Sequence, residues 1–362
     1  MLVQKSSLAF AALVFALLTS ALNITVLQPN VPFAPSPLPL PGARANCDQI
    51  VSLFATLGRT TIWNLVEKVK FQGNTYEPEG MVKLGDDRYF VSAGEYTAPT
   101  LKYSSNSTLI VNGTDRSAGA GFAHLLVFDG NGTRIADATL TAQSALEYHN
   151  GGIDYDGEFS WATIAQYRPN TTATLTKIDP TTLQPTPLVH IADHEGGAVH
   201  DVYTNNTLTL NWGSRNASLW NLATELGDVC PSLIEAIDYQ DCKFLGHPLA
   251  YASRAVMICS GVTSIYGTQI GGVALVDMLS MVPLAEVPIT MVSDLGVLVT
   301  ENPFDVDVVN GRLRFYFLPN QTNSTLYVYE AQPESPIEFG GNMVGEGQVG
   351  FGGWGHAGGW PW

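Results

Sequence analysis

Residues 151–193 read GGIDYDGEFSWATIAQYRPNTTATLTKIDPTTLQPTPLVHIAD. This stretch holds four short segments rich in apolar and β-branched residues, separated by an Asp-Gly turn, a polar loop and a Pro-containing turn, which is the pattern of a four-stranded antiparallel sheet. Similar units occur at 81–140, 197–238, 241–290 and 304–331. Repetition of whole four-strand units is typical of a β-propeller, so the sequence predicts an all-β, five-bladed propeller.

The last unit has only three strands. Residues 62–71 (IWNLVEKVKF) alternate apolar and polar side chains with the period of two expected of a strand. We expect this N-terminal strand to complete the C-terminal blade and to close the ring, which removes exposed sheet edges. A six-bladed ring with one degenerate blade and a two-sheet sandwich are the alternatives, and whole-unit repetition argues against the sandwich.

The chain ends have different compositions from the repeats. Lys5 precedes an apolar run at 8–18 and the small residues Thr19, Ser20 and Ala21, which predicts a cleaved signal peptide over residues 1–21 and a secreted protein. The run is shorter than the roughly 20 residues of a membrane-spanning helix, so no membrane insertion is expected. Residues 22–46 are predicted as a Pro-rich exposed arm, 47–332 as the propeller and 333–362 as a Gly/Trp-rich disordered tail.

Glycosylation signals and cysteines agree with export. Asn-x-Ser/Thr occurs at Asn23, which precedes the blades, and at sites predicted to be glycosylated in inter-strand loops and turns: Asn106, Asn112, Asn131, Asn170, Asn205, Asn216, Asn320 and Asn323. The 4 cysteines predict two disulfides. Cys242 with Cys259 is favoured, because both lie in the first hairpin of blade four, and Cys47 would then pair with Cys230. Structural zinc is disfavoured, since there is no Cys-x-x-Cys.

The charge balance limits the partners. The chain has 17 basic and 33 acidic residues, for a net charge of −16. Such a surface repels nucleic acid and anionic membranes. We expect a monomer whose partner is a small molecule or a carbohydrate.

Conspicuous polar residues cluster in the loops that enter each blade, at what should be one mouth of the channel. The candidates are catalytic His149, His194, His200 and Asp241; ligand-binding Tyr167, Arg168, Trp212, Arg215, Tyr239 and Gln240; and metal-binding Glu79, Asp241 and Asn302.

These residue types allow three uses of the mouth. Imidazoles and carboxylates could hold one divalent ion, calcium or zinc, for a metal-assisted hydrolase of a lactone, ester or sugar-derived substrate. Paired carboxylates such as Glu79 and Asp241 could instead cleave a glycoside, with Trp212 and Tyr167 stacking on the sugar. The main alternative to the hydrolase is a non-catalytic protein that binds a carbohydrate or a small anion, with Arg168 and Arg215 contacting the ligand.

Two further interpretations involve no ligand at the mouth. One is a structural cell-wall protein that uses the Gly/Trp tail. The other is that the entry-loop residues only form tight turns, which accounts for the glycines but not for the arginines, Trp212 or the histidines. A serine hydrolase is disfavoured, because there is no Gly-x-Ser-x-Gly.

An ordered set of motifs resembles a known but uncharacterised family. The motifs are HNGGID at 149–154, YRPN at 167–170, GGAVHD at 196–201, WGSR at 212–215, DYQDC at 238–242 and CSG at 259–261. Over about residues 53–330 the chain resembles a fungal and bacterial domain-of-unknown-function family of predicted β-propellers, which implies a propeller and no established activity. Members commonly have Pro at the position of Asn150 and Glu at that of Gln166, and the missing carboxylate argues against a general base there. More distantly the architecture is similar to gluconolactonase-like and regucalcin-like propellers, in fold alone.

Overall fold

The structure is a computed structural model that describes residues 23–106, 108–222, 226–231, 238–301 and 303–333, with the backbone alone at 226–231. The predicted signal peptide and residues 334–362 of the predicted tail lie outside these residues. Four elements precede the blades: β1 (Asn23–Val26), α1 (Gly42–Ala45), α2 (Cys47–Phe54) and β2 (Ile62–Lys70). Within the described residues, no helix has the length and apolar character needed to cross a bilayer.

Five antiparallel sheets follow one another around the ring, as predicted. Blade one consists of β3 (Glu77–Lys83), β4 (Arg88–Ala98), β5 (Ala120–Asp129) and β6 (Arg134–Thr139), and blade two of β7 (His149–Asn150), β8 (Asp154–Tyr155), β9 (Ser160–Ala165), β10 (Ala173–Ile178) and β11 (Pro185–Ile191). Blade three consists of β12 (Glu195–Asp201), β13 (Asn206–Asn211), β14 (Asn216–Asn221) and β15 (Leu226–Pro231), and blade four of β16 (Asp238–Gly246), β17 (Val256–Ile265), β18 (Thr268–Asp277) and β19 (Pro283–Ile289). Blade five contains β20 (Phe304–Val309), β21 (Arg312–Phe317) and β22 (Thr325–Gln332).

The N-terminal strand closes the ring. β2 pairs antiparallel with β22, from Ile62 opposite Gln332 to Lys70 opposite Thr325, and forms the outer strand of blade five. The predicted closure and five-blade count are therefore confirmed. β1 adds a fifth, outermost strand to blade one by pairing with β6.

Inner strands approach each other closely at the ring centre because glycines face one another there. A Cβ atom on Gly151 would lie 2.1 Å from the carbonyl oxygen of Gly196, and one on Gly80 would lie 2.3 Å from the amide nitrogen of Ile153. Any larger residue would push blades one, two and three apart.

Buried charges link the same strands. Lys243 donates to the Asp241 carboxylate at 2.6 Å and to the carbonyl of Ile153 at 2.6 Å. Asp241 Oδ2 accepts hydrogen bonds from the backbone N–H groups of Met81 and Phe304, both at 3.1 Å. One buried ion pair therefore connects strands of blades one, two, four and five.

The Pro-rich arm is not free in solution, although it was predicted to be exposed. Ala34 and Ala43 are buried, and Tyr155 donates a hydrogen bond from its hydroxyl to the carbonyl of Pro39. Within the arm, α1 contacts the inner strands β16 and β20 at the end of the ring opposite the entry loops, where Asn46 donates to Asp307 at 2.9 Å. The apolar face of α2 joins the core between blades four and five.

One of the two predicted disulfides is present. Cys242 and Cys259 are directly opposite each other in β16 and β17 and are bonded. Cys47 carries a free thiol, which contradicts the predicted pairing with Cys230. The physical reason is position: Cys47 begins α2 beside Gly246, at the end of an inner strand, whereas Cys230 lies in the outer strand of blade three.

Two predicted glycosylation sites differ from expectation. Asn320 is 2% exposed and donates from its side chain to the Ser293 hydroxyl at 2.9 Å, so it is not available to a glycan in the folded protein. Asn216 is half-buried and begins β14 instead of lying in a loop. The remaining sites predicted in loops are exposed: Asn106, Asn112, Asn131, Asn170, Asn205 and Asn323.

Candidate functional site at the channel mouth

A cavity of about 320 Å³ opens where the inner strands begin. Its walls come from all five blades and include most of the predicted entry loops. The polar and aromatic lining residues are Glu77, Glu79, His149, Tyr167, His194, Asn211, Trp212, Ser214, Asp238, Tyr239, Gln240, Glu301 and Gln321.

Two carboxylates and an imidazole converge on one wall of this cavity. Glu77 and Glu79 lie two residues apart on β3, and His149 begins β7 of the next blade. One potential ligand atom of each lies within 4.8 Å of the others. Glu77 Oε1 accepts a hydrogen bond from Gln321 at 2.7 Å, whereas Oε2 is buried with no hydrogen-bond donor in good geometry. These donor types fit a divalent cation.

Acidic side chains outnumber basic ones in the described cavity lining. Among the described lining residues four are acidic and none is Lys or Arg. Burial raises the pKa of Glu79 well above its usual range, and the charges of Glu77 and Asp241 add to that effect. Burial also raises the pKa of Asp238 to about 6, against the opposing charge of Arg215. A bound cation would relieve this repulsion.

Both cavity histidines are neutral at physiological pH. Burial lowers the pKa of His149 well below its usual value, and the neighbouring His194 lowers it further. Burial lowers the pKa of His194 to about 4. His194 donates from Nδ1 to the carbonyl of Gln166 at 2.6 Å, so its Nε2 carries the lone pair. Neutral imidazoles of this kind can bind a metal or accept a proton.

Aromatic rings form the wall beside the cation-binding groups. The Tyr167 ring lies 4.7 Å from that of His149 and 5.5 Å from that of Trp212, measured between centroids. Trp212 contacts His194 edge-on at 4.8 Å. Tyr167 and Trp212, both predicted as ligand-binding, are thus adjacent in the cavity wall.

The loop between β4 and β5 covers one side of the mouth. Tyr148 of blade two donates to the carbonyl of Ala118 at 2.8 Å, and Asn170 donates to that of Gly113 at 3.0 Å. The Arg116 guanidinium lies 4.6 Å from the ring centroid of Trp212 in blade three. The loop therefore crosses from blade one over blade two, and Arg116 is a mouth residue that no motif pointed to.

Asp241 is not an available metal ligand, contrary to prediction. It is 1% exposed, and its oxygens are occupied by Lys243 and by two backbone N–H groups. Asn302, the other predicted ligand besides Glu79, lies outside the described residues. Glu77 takes the place that the prediction gave to Asp241. Its position two residues before Glu79 is the signal that could have drawn attention to it, but the register shifts between Pro78 and Gly80, so strand alternation alone does not put both side chains on one face.

His200 lies away from the cavity, which corrects its predicted catalytic role. It is on β12, five residues beyond Glu195, and a strand rises about 3.3 Å per residue, which places it deep along the blade. Its ring stacks on Trp161 at 3.8 Å, and its Nδ1 is 2.9 Å from the Thr207 hydroxyl. His200 is a buried packing residue.

Arg168 and Arg215, which were predicted to bind an anionic ligand, do not line the cavity. Arg168 donates from Nε and from Nη2 to the Gln166 side-chain oxygen, at 2.9 and 2.6 Å, and is not among the lining residues. Arg215 is exposed and its charge acts on Asp238. Tyr239 and Gln240 do line the cavity, as predicted.

Solved structures are similar to this chain only in fold. The luciferin-regenerating enzyme is 10% identical, with a TM-score of 0.41 over 75% of this chain and 95% of that one. A DUF4623 family protein from Bacteroides eggerthii is 10% identical, with a TM-score of 0.40 over 72% of this chain and 60% of that one. A protein of unknown function from Bacteroides thetaiotaomicron is 8% identical, with a TM-score of 0.39 over 86% and 76% of the two chains. Likenesses this distant carry no argument about activity.

Sequence comparison identifies a family and no activity. No curated protein matches the chain. Residues 40–334 match the family of unknown function DUF6454, so the chain belongs to that family, in agreement with the motifs of the entry loops.

Proposed function

We propose that the mouth binds one divalent cation through Glu77, Glu79 and His149, and that the protein is a secreted, metal-assisted hydrolase of a neutral, sugar-derived ester or lactone. The observation that carries the proposal is the convergence of these three side chains within 4.8 Å on a cavity wall. The raised pKa of Glu79 supports it, because a cation would offset the burial and the nearby charges of Glu77 and Asp241 that raise this pKa.

The donor set favours zinc or a similar transition ion over calcium. Calcium takes six to eight oxygen ligands, whereas a neutral imidazole with two carboxylates is a set that zinc commonly uses, with room left for water or substrate. Such an ion polarises a carbonyl and lowers the pKa of bound water. His194, neutral and with its Nε2 lone pair free of its backbone contact, lines the same cavity and would accept the proton of the attacking water.

The lining determines which substrates fit. Tyr167 and Trp212 form an aromatic wall, and the amide oxygens of Gln240 and Gln321 could accept hydrogen bonds from hydroxyl groups. The Asn211 amide is already bonded to Asp193 and to the Asn216 backbone. Four carboxyl groups and no described Lys or Arg line the cavity, so an anionic substrate would find no basic side chain on its walls. We therefore favour a neutral substrate over an anionic one.

A non-catalytic carbohydrate-binding propeller is the second candidate. The observation that favours it is the contact between Tyr167 and Trp212 beside several amide side chains, an arrangement that could hold a sugar without any reaction. The two candidates differ in whether loss of the cation abolishes turnover or leaves sugar binding intact.

Metal binding by the secreted protein tests the proposal. After exhaustive dialysis, calorimetric titration with Zn²⁺ and with Ca²⁺ should show one tight zinc site. Glu79→Gln and His149→Ala should each weaken zinc binding about tenfold or more, since even the loss of an outer hydrogen-bond partner typically costs 10–100-fold. Glu147→Gln is the matched control, because Glu147 bonds to Thr172, Thr174 and His190 and is not among the lining residues.

An activity screen then separates the two candidates. Neutral lactones and sugar esters should be hydrolysed by the zinc-loaded wild type and not by Glu79→Gln. If neither protein turns over any of them while both bind neutral saccharides, the binding module is the better account. Lack of zinc binding by the wild type would remove the cation site altogether.

A further inference from the structure

The backbone carbonyl of Gln166 determines which ring nitrogen of His194 carries the proton. His194 Nδ1 lies 2.6 Å from this oxygen, and a carbonyl oxygen can only accept a hydrogen bond, so Nδ1 carries a proton. Nε2, the unprotonated nitrogen of the neutral ring, lies beside Gly196, where an added Cβ atom would be 3.3 Å from it. Gly196 and His194 both line the cavity. The lone pair of His194 is therefore next to the cavity wall.

This carbonyl belongs to a short loop of blade two. Residues 166–172 join β9 to β10, and the Gln166 N–H closes the loop by donating to the Thr172 carbonyl at 3.0 Å. The backbone N–H of Arg168 donates to the Gln166 carbonyl at 2.7 Å. The oxygen that holds His194 thus also accepts from the loop itself, and its position depends on the conformation of the loop.

The Arg168 side chain holds the Gln166 side chain inside the loop. Gln166 is 6% exposed, and its side-chain oxygen accepts from Nε and Nη2 of Arg168 at 2.9 and 2.6 Å. Its side-chain nitrogen donates to the Thr172 hydroxyl at 2.8 Å. Hydrogen bonds from a charged donor are stronger than neutral ones, so the guanidinium is the firmest of these contacts. Loss of the Arg168 side chain would leave Gln166 free to move, and its carbonyl with it.

We propose that Arg168 is a positioning residue: it holds Gln166, whose carbonyl keeps the ring proton of His194 on Nδ1 and leaves the Nε2 lone pair at the cavity. The hydrogen bond of one ring nitrogen sets the role of the other, which is the physical basis of the proposal. The inference rests on the proposed function, in which His194 accepts the proton of the attacking water. Arg168 does not line the cavity, so it acts through Gln166 and not on the substrate or the cation.

Nitrogen NMR of the metal-free protein tests the positioning role without any substrate. Long-range ¹H–¹⁵N spectra of histidine-labelled protein distinguish a protonated from an unprotonated ring nitrogen, and His194→Asn identifies the signals. The wild type should show His194 protonated on Nδ1, whereas Arg168→Met and Gln166→Leu should each raise the share protonated on Nε2. Gln166→Glu should keep the wild-type tautomer, because a carboxylate still accepts from Arg168. Protonation on Nε2 in the wild type, or no change in Arg168→Met, would overturn the proposal.

Zinc binding and turnover separate this inference from the proposed function. Arg168→Met should bind Zn²⁺ with the affinity of the wild type, since His194 is not a proposed ligand. Its kcat for an ester or lactone from the activity screen should fall about tenfold or more with KM unchanged, because a positioned general base contributes about 10²–10⁴-fold. Arg254→Met is the matched control: Arg254 bonds to Asp277 at 2.8 Å, and neither residue lines the cavity.

The outcomes are distinguishable. Equal kcat for the wild type and Arg168→Met overturns the positioning role alone. No zinc binding or no turnover by the wild type overturns the proposed function, and the NMR comparison then decides whether Arg168 holds the tautomer of His194.

Discussion

The Lys243 ammonium lies 2.6 Å from the Asp241 carboxylate at the centre of the ring, with side chains 2% and 0% exposed. A buried pair of this kind is costly to desolvate, but loss of one partner leaves an uncompensated charge. Here the carboxylate also accepts two backbone N–H groups from other blades. The pair is therefore part of the connection between blades.

We expect Lys243→Met to destabilise the protein by about 3–5 kcal/mol, because it leaves Asp241 buried without its partner. Lys68→Met is the matched control: Lys68 pairs with Asp294 at the surface, with side chains 40% and 65% exposed, and exposed pairs contribute about 0–1 kcal/mol. The free energy of unfolding in urea measures both. Similar losses for the two variants would contradict a special role of the central pair.

The contribution of two buried carboxyls to stability should fall as the pH rises from about 4.5 to 8. Burial raises the pKa of Glu195 to about 8 and that of Asp154 to about 7. Above its ordinary pKa each carboxyl loses its proton in the unfolded chain but keeps it in the folded protein until the raised pKa is reached. The folded state thus binds more protons in this window, and its stability decreases with pH.

Thermal unfolding across pH 4–8 tests this dependence, and Glu195→Gln should flatten it. Glu330→Gln is the control: the Glu330 pKa is lowered, chiefly by its hydrogen bond to Arg314, so this variant should leave the slope between pH 5 and 8 unchanged. An equal change in melting temperature with pH for the wild type and Glu195→Gln would show that the Glu195 carboxyl is ionised in the folded protein across this range.

The Cys242–Cys259 disulfide should contribute about 2–4 kcal/mol, because it closes a loop across a sequence separation of 17 residues. Replacing both cysteines by alanine and measuring unfolding in denaturant tests this value.

Cys47 should react with an alkylating reagent once the protein is unfolded without reductant, since its thiol is free. In the folded protein the reaction should be slow, because burial raises the pKa of Cys47 to about 11. Protection of Cys47 in the unfolded, non-reduced chain would restore the predicted pairing with Cys230.

Glycan occupancy should differ between two neighbouring signals. Asn323 is exposed, whereas Asn320 is buried and bonded to Ser293. Mass spectrometry of glycopeptides from the secreted protein should find glycans at Asn323 and not at Asn320. As a matched pair, Asn323→Gln should remove a glycan from the peptide and Asn320→Gln should not; occupancy of Asn320 would require a different conformation of this loop.

The propeller architecture could be predicted from the amino-acid sequence because it depends on local, repeated patterns. Alternation of period two and Asp-Gly or Asn-Gly turns specify hairpins, and a blade with three strands requires a fourth from elsewhere, which β2 supplies. The same logic placed Cys242 opposite Cys259. The loops that enter the blades were likewise assigned to one mouth, since the inner strands all begin there.

What the sequence by itself determined was which segments reach the mouth; only the tertiary structure decided which side chains meet in it. Asp241 is two residues from Tyr239 on the same strand, yet Tyr239 lines the cavity whereas Asp241 forms a buried ion pair with Lys243. Glu77 and His149 are brought together from different blades, across the closely packed glycines of the inner strands. Spacing along one strand specifies a face, but a site made by several blades depends on how far each strand extends and on which neighbours already bond its polar atoms.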